Sequence, residues 1–401
     1  MAPTSPVPRA APRFEGDLFA ADSLADSRAT FRMLRDLGDA VWVPALELYA
    51  VARYDDVVKA LRASDLLLSG EGVAVNSQLN GANSRTNPAT ITSDGDQHRR
   101  LKRIEMKPLQ PAVLAPLRDR IQRMADERVR TLAGGATFEA MEQLASYVPT
   151  RVVIDLVGIR DVDRERMSRW SYAVFDAFGP ADHARTSAAL PTISEFVEYS
   201  LGLQRQDLVP GGLADQMLEA ADRGEVTDAE ARGLMFDYVL PALDTTILAT
   251  GEMLHGLATV PGAFEKVRAN PGLIPGVVDE AVRLSTPLRG FTRLASEDYL
   301  LSETVLPKGA RAWLLYASAN LDERHYPNPE VFDVERNPRD HLGWGHGVHL
   351  CTGKHLARLE MESVLGALVR QVRRIEADAP TRIINNSAQG YATLPLRLRT
   401  H

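Results

Sequence analysis

Cysteine is almost absent from this chain: Cys351 is the single one among 401 residues. One thiol cannot close an internal disulfide, so the fold is not a stapled one and nothing points to an oxidising compartment. Long apolar runs are missing too, and no window holds the roughly 20 consecutive apolar residues of a membrane-spanning helix. The first residues lack the basic and apolar blocks of a secretory signal. A net charge of −7 argues against nucleic acid as a partner. These absences predict a cytoplasmic protein with no membrane association. The 45% hydrophobic content supplies a sizeable core. Residues 1–14, rich in Pro and Ala, read as a flexible N-terminal segment ahead of one domain over 15–401.

The lone cysteine lies in His341-Leu-Gly-Trp-Gly-His-Gly-Val-His-Leu-Cys-Thr-Gly353. Leu356, Leu359, Leu365, Leu368 and Val372 follow at helical spacing, which puts Cys351 at or beside a helix N-terminus. Free N–H groups and the helix dipole there favour the thiolate, the form that binds metal. Gly345, Gly347 and Gly353 permit positive φ and let the backbone approach a flat ligand closely. On composition alone a single cysteine is a small buried hydrophobe. Its neighbours argue otherwise: Trp344-Gly-x-Gly-x-His349-x-Cys351-x-Gly353 resembles the haem-binding signature of cytochrome P450s. In that family the cysteine is the proximal iron ligand, and Phe usually stands where this chain has Trp344.

The rest of the chain supports a mainly α fold with a smaller β region, and the resemblance makes this the cytochrome P450 fold. Helices are predicted over Ser27–Leu37, Tyr54–Ala63, Ala112–Ala133, Phe138–Val157 and Arg164–Phe178, with Asp26 or Ser27 capping the first. Val41–Val43 and Tyr49–Val51 read as a hairpin. Ser69–Gly95 reads as a loop, which in a P450 covers the distal side of the haem. Thr227-Asp-Ala-Glu230 is a capping box opening a long helix to about Thr259, with Pro241 predicted to kink it.

Several stretches acquire roles from the resemblance. His98 and Lys102 match the pair on the helix after that loop that holds a haem propionate, although Arg is usual at the second position. Arg293, on a predicted strand, and His349 match further propionate partners. Arg99, Arg100, Arg103 and Lys107 would form part of a basic patch for an acidic electron donor. Pro241-Ala-Leu-Asp-Thr-Thr246 resembles the distal-helix motif, making Asp244 and Thr245 the acid–alcohol pair that handles protons for bound O₂. Ala242 replaces the family's Gly. Glu280 and Arg283, a weak Glu-x-x-Arg motif by itself, would join Arg336 in a buried network behind the haem loop.

Val174-Phe-Asp-Ala-Phe-Gly-Pro180 is similar to a segment lining the aromatic pocket in the bacterial branch that demethylates para-substituted benzoates. Tyr49–Arg53 and Leu208–Gly212 also resemble that branch. Phe175, Phe178 and Phe291 are therefore expected to hold a flat ring, beside Ala242 and Tyr238. The implied activity is haem b-dependent monooxygenation of a small aromatic substrate with O₂, most simply O-demethylation. A methoxyphenol is favoured over a para-alkoxybenzoate because Glu71 and Asp237 would oppose a buried carboxylate. No nicotinamide or flavin motif is present, so ferredoxin and an NAD(P)H-dependent ferredoxin reductase are the implied partners. The rivals are a peroxygenase driven by H₂O₂, hydroxylation of a different secondary metabolite, and a haem-binding sensor.

Overall fold

The computed structural model describes residues 10–80 and 89–400. Pro12 and Phe14 exchange backbone hydrogen bonds with Trp42, so regular pairing begins before residue 15. Residues 1–9 of the expected flexible segment, and 81–88 of the expected distal loop, lie outside the described residues.

Helices dominate. Those that position the site are α1 (Gly95–Met106), α2 (Arg118–Leu132), α3 (Arg164–Ala177), α4 (Asp228–Asp237), α5 (Asp244–Thr259), α6 (Ile274–Ser285) and α7 (Lys354–Gln371). The main core forms where α7 packs on α2 and α6, and α5 on α6. Leu365, Leu368, Val129 and Val278 are sealed there. To one side lies a five-stranded sheet of β1 (Val41–Val43), β2 (Leu48–Val51), β3 (Leu67–Leu68), β4 (Phe291–Ala295) and β5 (Arg311–Leu314), in the order β1-β2-β5-β4-β3. The β1–β2 hairpin pairs Val41 with Ala50, as its alternation predicts. The first helix in this part of the chain spans Arg28–Leu37, and of the two candidate caps Asp26 accepts the Arg28 N–H at 3.1 Å.

Three expected helices differ. Ala112–Ala133 is divided into Pro111–Leu114, a 3₁₀ turn and α2; Pro116 lacks the N–H that a continuous helix needs. Phe138–Glu139 is a short strand paired with Pro395–Leu396, followed by a π-turn and a helix from Tyr147. The expected long helix over 227–259 is two helices, α4 and α5, separated by a turn. Pro241 donates no hydrogen bond, and two carbonyls in the gap are satisfied by side chains. Ser171 Oγ donates to Leu240 O at 2.6 Å and Thr245 Oγ1 to Pro241 O at 2.7 Å. The capping box at Thr227 and Glu230 forms in full.

Behind the cysteine loop sits a fully buried ion pair. Arg283 makes two bonds to Glu280, Nε–Oε2 at 2.7 Å and Nη2–Oε1 at 2.8 Å, with both side chains 0% exposed. Arg336 Nε adds a third at 3.1 Å. The remaining Arg283 nitrogen donates to the carbonyls of Asn320 (2.6 Å) and Pro329 (2.8 Å). Asn320 in turn accepts the N–H of Leu342 at 2.7 Å, at the entrance of the loop. Removing one partner of such a pair leaves an uncompensated buried charge and costs about 3–5 kcal/mol. Glu280→Ala or Arg283→Ala should therefore lower the urea midpoint and abolish recovery of haem-loaded protein. Full haem occupancy at wild-type stability in either variant would show that the pair does not hold the loop.

Candidate active site

A cavity of about 430 Å³ lies between α1, α3, α4, α5, β4 and the cysteine loop. Its floor is Trp344, Gly345, His349, Cys351, Thr352 and Gly353. Gly345 has φ 71°, and Gly347 φ 68° with Leu61 O only 3.1 Å from where a Cβ would sit, so both need to be glycine. Gly353 has φ −79° and serves as the α7 N-cap, contrary to the positive φ expected of it. Nothing in its surroundings demands glycine either, since an added Cβ would make only an ordinary contact, 4.0 Å from the Cys351 sulfur. The loop is closed by the Cys351 N–H donating to Trp344 O at 2.8 Å.

Cys351 is open to the cavity while the chain encloses it on other sides. Burial holds its thiol above the ordinary value, offset by Lys102 and by the N–H groups of Gly353 and Lys354. Desolvation thus outweighs the helix N-terminus, the reverse of the lowering expected from the sequence. A coordinated metal cation is what removes such a proton outright.

The cationic groups converge on one end of this floor. Arg293 is 3% exposed and lines the cavity. One of its terminal nitrogens donates to Thr292 O at 2.8 Å, while Nη2 is buried with no partner. Lys102 donates to Leu350 O and Thr352 Oγ1, each at 2.7 Å. His349 lies with its ring 4.1 Å from that of His98, and burial, then Arg293, holds it neutral with a pKa down at about 2. His98 itself is not a wall of the cavity: its nitrogens lie 3.1 Å from Thr90 O and Val348 O. An orphaned guanidinium N–H over an open thiol, beside a lysine and a histidine, fits a flat iron-bearing group with acidic side arms.

Above this floor the walls are apolar. Phe175, Phe178, Phe291, Ala242 and Tyr238 all line the cavity. Phe178 and Phe291 meet edge-on at 6.4 Å and 68°. Tyr238 points its hydroxyl away, donating to Glu105 O at 2.6 Å. Phe236 lines it beside Tyr238, and so do Phe196 and Tyr316, two contributions missed in the sequence because each comes from an element far along the chain. Asp237 is a cavity residue; Glu71 is exposed and is not one. Glu105 is another buried carboxylate in the wall that was missed, as is Glu360 on α7; Glu105 is 4% and Glu360 1% exposed. Glu105 sits on the face of α1 opposite the exposed basic residues, a placement that a 3.6-residue period could have shown. The Ser387–Tyr391 turn reaches the edge, where Ala388 bridges Leu288, without lining the cavity.

Asp244 and Thr245 start α5 and face different ways. Thr245 lines the cavity. Asp244 is 3% exposed, accepts the Ser168 hydroxyl at 2.9 Å, and leaves Oδ2 unpartnered. Burial raises its pKa. The expected basic patch is smaller than the sequence implies, since Arg100 is taken by Glu230 (2.6 and 2.9 Å).

Comparison with known proteins follows the same lines. A family model described as cytochrome P450 matches residues 272–397. Cytochrome P450 CYP199A2 of Rhodopseudomonas palustris is 33% identical over 384 residues, covering 95% of this chain and 93% of its own. Cytochrome P450-terp of a Pseudomonas species is 27% identical over 379 residues, 90% and 88% of the two chains. Among solved structures, myxobacterial cytochrome P450 CYP267B1 in complex with myristic acid superposes with a TM-score of 0.81 at 27% identity. It covers 96% of this chain and 99% of its own. If Arg293 holds an acidic arm of the bound group, Arg293→Met should raise the Kd for haem about 10- to 100-fold, the worth of one lost charged hydrogen bond. Transfer of haem to apomyoglobin measures this, and unchanged retention would strike Arg293 from the set.

Proposed function

The chain belongs to the cytochrome P450 family, and on that premise we propose a substrate class, an electron supply and a role for each site residue. It is a cytochrome P450 monooxygenase, and the family implies a haem-thiolate cofactor. Bound haem supplies a reducible iron at which O₂ is activated and one oxygen atom passes to a C–H bond, the other leaving as water. Cys351 Sγ is the iron ligand. Arg293, Lys102 and His349 receive the propionates directly. His98 acts one step back, fixing Val348 and the ring of His349.

The substrate is a small methoxylated aromatic, held edge and face by Phe175, Phe178 and Phe291 with its methoxy group toward the floor. Hydroxylation of that methyl gives a hemiacetal, which releases formaldehyde and the phenol. The observation that carries the choice of methoxyphenol over benzoate is Asp237 in the cavity wall. A carboxylate substrate beside it would be buried against a wall that already holds the acids Asp237 and Glu105, and would need a further proton to bind. Electrons come from a ferredoxin and its NAD(P)H-dependent reductase, docking on the side where α1 exposes Arg99 and Arg103 and the cysteine loop exposes Val348 and Leu350.

Proton handling falls to α5. Thr245 Oγ1, now held by Pro241 O, is the hydroxyl that faces the reacting space. Asp244 takes up protons on the α3 side, where Ser168 already donates to it, and burial raises its pKa above the usual carboxylate value. Asp244→Asn should lower turnover on the order of 10²-fold with the substrate Kd unchanged. Thr245→Ala should raise the NAD(P)H consumed per formaldehyde released. Spectral titration tests the substrate: guaiacol-type ligands should bind more tightly than 4-methoxybenzoate, and equal or tighter benzoate binding would overturn the assignment.

A further inference from the structure

Besides the polar floor and Glu360 on α7, the largely apolar cavity carries two carboxylates at one pole that take no part in holding haem or moving protons. Glu105, from α1, and Asp237, the last residue of α4, both line it. Glu105 is 4% exposed, and its Oε2 has no hydrogen-bond partner. Asp237 Oδ2 accepts the Thr90 N–H at 2.9 Å. Among the described residues neither carboxylate has a salt bridge, and the cation that acts on both, Lys102, already donates to Leu350 O and Thr352 Oγ1. Thr90, Thr352 and His98 are the other polar groups against Glu105. Among the described residues the two acids thus face a single lysine, and their charge is balanced only while the pair retains a proton.

We infer that Glu105 and Asp237 form an anionic recognition pole inside the cavity that takes the protonated amine of a small aromatic substrate. An ammonium group brings one charge and three N–H donors, so it can satisfy the unpartnered Glu105 oxygen and neutralise the pair together. A phenol brings one donor and no charge, and a carboxylate brings a like charge. The order of preference at this pole is therefore ammonium, phenol, hydrocarbon, carboxylate. Burial, and then Glu105, pushes the Asp237 pKa up to about 8. This is the behaviour of a pair that keeps a proton until a cation replaces it. The pole lies in the same cavity as the ring slot at Phe175, Phe178 and Phe291, so the inference rests on a methoxylated ring occupying that slot and adds the head group.

The test uses haem-loaded enzyme and three probes with one ring and three head groups: 4-methoxyphenethylamine, 4-ethylanisole and 3-(4-methoxyphenyl)propanoate. Soret titration gives both Kd and binding mode. The amine should bind at least about tenfold more tightly than 4-ethylanisole, with a shift to shorter wavelength, and the propanoate most weakly. In Asp237→Asn and Glu105→Gln the amine-to-ethylanisole ratio should fall to near one. Equal binding of amine and ethylanisole overturns the inference. So does a shift to longer wavelength, which reports nitrogen on the iron, or an advantage that survives in both variants. Should a variant fail to load haem, the wild-type ranking alone decides. Failure of the ring assignment looks different: 4-ethylanisole would not bind and no formaldehyde would form, whatever the ranking of head groups.

Discussion

The site depends on one buried ion pair that never touches it. Glu280 and Arg283 are sealed from solvent, and Arg283 spends its remaining nitrogen on the carbonyls of Asn320 and Pro329. Asn320 then fastens the backbone of Leu342, and two residues later Trp344 O receives the N–H of Cys351. The sulfur is thus fixed through a short series of hydrogen bonds that begins at a carboxylate on α6. Such a pair gains little over a hydrophobic substitute in free energy, while its geometry admits few alternatives. Its contribution is to the position of the loop.

Within the cavity, charge and apolar surface are kept apart. The cations Arg293 and Lys102 gather at the floor beside the neutral His349, the rings of Phe175, Phe178 and Phe291 form the walls, and the carboxylates of Glu105 and Asp237 occupy one pole. In a low-dielectric space each of these groups acts at full strength on whatever enters. Selectivity by head group and orientation by ring contact are consequently separable properties of different residues.

The sequence made the floor legible because its residues are close together. Trp344 to Gly353 is one continuous segment, and the Glu-x-x-Arg pair lies one helical turn apart. The hairpin at Val41–Val51 and the capping box at Thr227 are equally local. What escaped is non-local. Glu105 and Asp237 are brought together by the packing of α4 on α1, and Tyr316 reaches the wall from beyond β5. Phe138–Glu139 has helical neighbours in sequence yet pairs with Pro395–Leu396 near the far end of the chain, where strand partnership overrides local propensity. Pro241 signalled a disturbance; that the helix would be cut in two depended on hydroxyls from Ser171 and Thr245 being available to receive the freed carbonyls.

That last arrangement ties backbone shape to side-chain chemistry. Thr245 has a single hydroxyl proton, and it is committed to Pro241 O, four residues back in the turn that precedes α5. Whenever that proton is given to another acceptor, the carbonyl loses its mate and the turn between α4 and α5 is freed to relax. The breadth of the gap above the floor and the occupation of one hydroxyl are then a single variable, so whatever binds at Thr245 also reshapes the space it has entered.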